Sequence, residues 1–154
     1  MTDALLFPLP AEDDWRLLLK AAQRSTTPWR DRVILGLLWE CAVRPDELVA
    51  LRLSDLHLPT GRLHLPARVV RLPEDVLAPT MTYIALERPS RCPGLIAGPR
   101  GRSLRSADLS RLFLQLAQAS GCEVSPWALH LAGLRRQLPR VLVAALARST
   151  AERE

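Results

Sequence analysis

Residues 29–56, WRDRVILGLLWECAVRPDELVALRLSDL, constrain this chain more than any other stretch. Thr27 and Pro28 stand just ahead of them, suited to the N-cap and the first helical position. Val33, Ile34, Leu37, Leu38 and Cys41 then recur at helical spacing, so one helix buries all five. After a short turn, Pro45 opens a second helix that ends near Arg52. Whatever surrounds this pair must cover a strongly apolar element.

Upstream, residues 10–24 place Trp15, Leu18, Leu19 and Ala22 on one helical face, with Glu12, Asp13 and Asp14 complementing the helix dipole. Downstream the period changes. Leu56-His57-Leu58, the turn Pro59-Thr60-Gly61 and Arg62-Leu63-His64-Leu65 alternate as a hairpin, and Val69 to Leu72 add a third strand. Pro79 confines the next helix to about 80–87. A basic loop, Gly98-Pro99-Arg100-Gly101-Arg102, precedes a helix capped by Ser106 and stopped by Gly121. Pro126 starts a further helix to about Gln137, and Pro139 separates it from a last one over 140–148. The expected fold is mainly α with a small antiparallel β-sheet (α+β). It forms a single domain over 1–154, with its core at about 10–148 and a polar tail at 149–154.

The formal net charge of +5 is unevenly spread. Residues 1–87 carry ten Lys/Arg against twelve Asp/Glu, and residues 88–154 carry eleven against four. All the basic residues but Lys20 are arginine, the side chain whose planar fork suits phosphate. A GC-rich coding bias produces the same Arg, Ala, Leu and Pro richness, so composition alone leaves nucleic acid open. Cys41, Cys92 and Cys122 fit no metal-ligand spacing and read as reduced thiols of a cytoplasmic, bacterial protein. No run is long enough to span a membrane, no leader-like apolar segment opens the chain, and no cofactor motif occurs.

Arg44-Pro45-Asp46-Glu47 followed by Leu51-Arg52-Leu53-Ser54-Asp55-Leu56 resembles the first conserved box of the tyrosine recombinase (phage integrase) catalytic domain. There an apolar helix and a turn lead into Arg-x-x-Glu, and the arginine grips the scissile phosphate. The order of elements over about 10–145 also resembles that domain. Arg68-Val69-Val70-Arg71-Leu72-Pro73 is similar to the segment closing the family's hairpin, although no lysine stands in it. The local alternative for Arg44 and Glu47 is an i,i+3 ion pair at a helix start.

The resemblance implies chemistry this sequence does not carry. The family's second box, Pro-His-x-Leu-Arg-His, has two registers here. Aligned on Pro126, it puts Trp127, His130 and Leu131 on the His, Arg and His positions; a second register puts Leu134-Arg135-Arg136 on Leu-Arg-His, keeping the arginine but leaving Ala132 for the first histidine. His130 alone also reads as a helix-surface or capping residue. No nucleophilic tyrosine follows the last helix, and Tyr83, the only tyrosine, lies mid-chain as a partly buried helix residue. The expectation is a degenerate recombinase-like domain, truncated at its C-terminus and not an enzyme. A nucleophile supplied in trans is the weaker alternative.

A domain built to embrace DNA can keep its grip without its chemistry. The implied partner is double-stranded DNA at low specificity, held through Arg44, Arg68, Arg71, His130, Arg135 and Arg136 and through the loop arginines Arg100, Arg102, Arg105 and Arg111. Pro99-Arg100-Gly101-Arg102 also resembles the core of an AT-hook. Arg140 extends the Arg135–Arg136 cluster. The competing expectation is a protein-interaction or oligomerisation module using the apolar 139–148 helix to pair with another copy.

Overall fold

The structure, a computed structural model, describes residues 9–153; the lead before them lies outside the described residues. In chain order it comprises α1 (Glu12–Gln23), α2 (Pro28–Trp39), α3 (Pro45–Ala50), β1 (Leu56–His57), β2 (Arg62–His64), β3 (Val69–Arg71), α4 (Glu74–Leu86), α5 (Ser106–Ser120) and α6 (Pro126–Arg153). Single 3₁₀ turns occur at Leu53–Asp55 and Pro99–Gly101. The mainly helical α+β organisation is the one expected.

Helix α2 is the hub. Val33, Ile34, Leu35, Leu37, Leu38 and Trp39 are all buried, because a helix that is apolar all round must be covered on every side. α1, α4 and α6 supply the cover. Each fully buried Leu or Ile contributes about 1.5–3 kcal/mol relative to exposure. α1 presents only one face, with Trp15, Leu18, Ala21 and Ala22 buried, and Trp15 stacks on Trp39 at 5.1 Å. α5 likewise buries Leu109, Leu112, Phe113 and Leu116 before Gly121 ends it at φ 73°.

Both ends of α2 are tied from far along the chain. The Glu87 carboxylate accepts from the backbone N–H groups of Trp29 (3.0 Å) and Arg30 (2.9 Å). At the other end the Gln137 amide donates to the Glu40 carbonyl (2.6 Å). α6 approaches α2 so closely at Gly133 that a Cβ there would stand against the Trp39 carbonyl oxygen and 2.7 Å from that of Leu38.

The three-stranded sheet runs β1-β2-β3, antiparallel throughout, with Leu63 opposite both Leu56 and Val70. Alternation along β2 buries Leu63 between exposed Arg62 and His64.

Three expected boundaries are corrected. α4 begins at Glu74 and runs through Pro79 rather than starting after it. Pro79 is itself buried with Val76, Thr80 and Tyr83, and the carbonyl it deprives of a partner belongs to the exposed Asp75, where water can serve. α6 similarly passes Pro139 unbroken to Arg153, absorbing the expected polar tail, and here the orphaned carbonyl is that of the exposed Arg135. Finally, Ser106 is the first residue of α5 and not its cap. The N-cap is Arg105, whose N–H is taken by the Asp108 carboxylate at 2.9 Å.

The same reach-back starts three other elements. Ala11 donates to Asp14, Arg44 to Glu47 and Arg52 to Asp55, each N–H finding a carboxylate three residues on. No helix among the described residues is long and apolar enough to cross a membrane.

Candidate nucleic-acid interface

The turn joining α2 to α3 sets up a charged concavity. Ala42 adopts φ 52°, an uncommon value for a residue with a Cβ, and the chain is held there from two sides. Val43 donates back to the Leu37 carbonyl (2.9 Å), and the Arg68 guanidinium reaches over from the hairpin to the Ala42 carbonyl (3.2 Å). Arg68 also grips Glu47 through two hydrogen bonds, 2.9 and 3.0 Å, while Glu47 takes the Arg44 N–H. Glu47 is thus a nearly buried node, its side chain 10% exposed.

Arg44 does not pair with Glu47 through its side chain. Its guanidinium instead lies against Asp46 (2.7 and 3.1 Å) and over the Trp127 ring at 6.0 Å. Both partners of the Arg44–Asp46 pair are about half exposed, so the pair is worth at most ~1 kcal/mol and yields readily to a competing anion.

Together these groups line an open cleft of about 610 Å³ that gathers Arg44, Arg68, Arg71 and His130 from the α2–α3 turn, the hairpin and α6. Arg71 is exposed and makes no side-chain hydrogen bond or ion pair among the described residues. His130 is buried, with the Trp127 ring edge-on at 5.6 Å. Its Nδ1 is buried and without a hydrogen-bond partner. Burial holds the ring's pKa below the usual histidine value, although the nearby Val43 carbonyl and Glu47 favour the protonated form.

The two registers of the second box put different side chains near Arg44. Trp127 and His130, one turn apart at the start of α6, face Arg44; Arg135 is exposed outside the cleft. Arg136 faces a different neighbourhood, 4.7 Å over Trp39 and 3.5 Å from both Glu12 and Glu40. Arg135 and Arg136 therefore do not extend the cleft, and the side chain of Arg140, the third member of the expected cluster, lies outside the described residues.

The basic loop is likewise not all free charge. Arg102 turns inward and binds the Asp108 carboxylate through two hydrogen bonds, 2.7 and 2.9 Å, with a third to the Ser103 carbonyl. Asp108 also receives Arg111 at 3.4 Å. Those arginines hold its carboxyl below the usual carboxylate range, Arg102 foremost. Pro99–Gly101 forms a 3₁₀ turn with Arg100 at φ 61°, so the AT-hook reading fails: one of its two arginines is spent inside the protein. Arg100 and Arg105 remain exposed and make no side-chain bond among the described residues.

Tyr83 is more deeply placed than expected, 1% exposed. Its hydroxyl donates to the Leu95 carbonyl (3.2 Å) and accepts the Ala97 N–H (2.9 Å), and burial pushes its pKa up. Arg88 completes this lock, reaching the carbonyls of Cys92, Gly94 and Leu95. Burial pushes the Cys41 thiol up to about 12 and Cys122 to about 11, which makes neither a nucleophile near neutral pH. No cluster of three metal-ligating side chains occurs among the described residues.

Sequence reasoning passed over Asp46 and Asp108 as the carboxylates that engage Arg44 and Arg102. Nothing local marks the Glu47–Arg68 pairing across 21 positions.

No protein-family profile and no curated protein matches the sequence. Solved structures do. The chain is similar to the XerA recombinase at 21% identity and TM-score 0.73, over 86% of this chain and 50% of that one. It is similar to the Tn1549 transposon integrase in complex with circular intermediate DNA at 15% identity and TM-score 0.71, over 86% and 53%. It is also similar to the lambda integrase catalytic core at 18% identity and TM-score 0.63, over 88% and 85%. It spans about half the length of the first two. Those neighbours are tyrosine recombinases and integrases, and the fold seen here, helices around α2 with one small antiparallel sheet, is that of their catalytic domain.

Proposed function

We propose that this chain binds double-stranded DNA through its phosphate backbone and does not cleave it. The observation that carries the reading is the convergence of Arg44, Arg68, Arg71 and His130 on one open cleft. Solved proteins of the same fold include DNA complexes. Arg71 and the weakly held Arg44 are the groups ready to meet phosphate, while Arg68 and Glu47 fix the turn that presents them. Arg100 and Arg105 add exposed charge on the loop.

The non-cleaving part of the reading is supported by the state of the one tyrosine. Strand scission needs a nucleophile, and Tyr83, the one tyrosine of this sequence, is buried with its hydroxyl engaged twice.

Fluorescence anisotropy with a duplex of about 25 base pairs, titrated from low to physiological salt, tests the reading. Binding should be micromolar or tighter at low salt, with log affinity falling linearly against log salt. The Arg44→Ala and Arg71→Ala variants should each bind roughly tenfold more weakly, about 1.4 kcal/mol, and reduce the salt slope by about 1. Unaltered affinity and slope in both would remove the cleft from the footprint.

A second reading, a module that pairs with another protein copy, draws on the exposed Leu134, Leu138 and Leu142 along α6. A mass by light scattering that rises with concentration would favour it.

A further inference from the structure

We propose that the cleft takes up one proton on His130 with each DNA phosphodiester it holds, so that binding strengthens as the medium acidifies. The inference rests on the DNA-binding reading and assigns that site a regulation.

Its geometric basis is the ring itself. His130 lines the cleft yet is buried, and its Nδ1 has no hydrogen-bond partner. Burial makes this ring costly to protonate although the Val43 and Ala42 carbonyls favour its charged form, and a phosphate in the cleft would add to their effect. The charged and titratable groups around it come from every neighbouring element. Glu40 and Cys41 lie at the end of α2, Arg44 and Glu47 at the start of α3, and Arg68 and Arg71 on the hairpin. Trp127 sits edge-on from the ring's own helix. Of the two groups with a direct charge effect on the ring, Glu47 favours its protonated form and Arg68 opposes it, and burial outweighs Glu47.

Imidazole is the side chain whose ordinary charge change falls between pH 5 and 8, and the Cys41 thiol in the same cleft is pushed up to about 12. A phosphodiester has no proton to exchange in that range either. Any proton taken up in the cleft on binding therefore goes to His130. Arginine at this position would give a grip independent of pH; histidine makes it conditional.

The experiment is the same duplex titration repeated from pH 8 to 5.5 at fixed ionic strength. Calorimetry in two buffers of different ionisation enthalpy counts the protons taken up. The wild type should gain roughly tenfold in affinity from pH 7.5 to 5.5 and take up close to one proton near pH 6. Changing both exposed hairpin histidines, His57→Gln and His64→Gln, should leave that slope in place; His130→Gln should flatten it. DNA binding with a flat profile and no proton uptake overturns the proposal while leaving the DNA reading intact, as does a slope that survives in His130→Gln. Should His130→Gln fail to fold, the wild-type proton count decides alone. No binding at any pH overturns the DNA reading itself.

Discussion

Gly133→Ala lowers the thermal unfolding midpoint by about 10 °C. The sign is the informative part, because alanine in place of glycine inside a helix ordinarily gains up to ~1 kcal/mol. Here the new methyl group would meet the Trp39 and Leu38 carbonyl oxygens, which are backbone atoms and not the movable tip of a side chain. They are fixed in turn, since the Glu40 N–H bonds to the Gly36 carbonyl at 2.8 Å and Gln137 holds the Glu40 carbonyl. Relief requires α6 to back away from α2, loosening the contacts of Leu129 and Ala132 in the core. Overpacking of this kind costs about 3 kcal/mol, at ~2–4 °C per kcal/mol for a chain of this size. Circular dichroism against temperature reads it directly, and an unchanged or raised midpoint would refute the close approach of the two helices.

Asp108→Ala has the next largest effect, and it carries a pH signature. One carboxylate receives two bonds from Arg102, the N-cap amide of Arg105 and the Arg111 guanidinium, and its side chain is only 5% exposed. Truncation leaves α5 without its cap and strands the donors that point at it, a loss of roughly 2 kcal/mol. The carboxyl titrates below its usual range in the folded protein, so its contribution is complete above about pH 4, the unfolded value. It is lost as the pH falls further, through the folded value. Urea midpoints of the wild type and Asp108→Ala should therefore differ at pH 7 and converge on acidification below about pH 4. A gap that persists undiminished at pH 2 would mean that the carboxylate's charge is not what stabilises the loop.

Much of the fold was legible because its signals are local. Thr27-Pro28 before an apolar run, the turn Pro59-Thr60-Gly61 and Gly121 after the α5 stripe each act within a few residues, and each element lies where they put it. Pro79 and Pro139 misled for the converse reason. Whether a proline ends a helix depends on which side of the helix loses the bond, and in both cases the orphaned carbonyl belongs to an exposed residue, Asp75 or Arg135. The candidate site was legible as a set of residue types and not as a set of available charges. Arg44, Arg68, Arg71 and His130 do share a cleft. Arg102 and Arg136, alike in sequence, are committed to Asp108 and to the Trp39–Glu40–Glu12 neighbourhood. An arginine's letter does not say whether its charge is spent; the partners that spend it lie from one to 124 positions away.

The remote cap on α2 bears on the order in which the chain can fold. The carboxylate that satisfies Trp29 and Arg30 sits on Glu87, 58 and 57 residues later, just past the end of α4. Until the hairpin and α4 have been laid down and docked, the hub helix keeps an open N-terminus and gains little from its own sequence. The helix at the centre of the core is therefore also one that must wait for its partners. Loop closure precedes the reward, as it does in folds rich in distant contacts, and α2 and α4 are bound to form and to open as one cooperative unit.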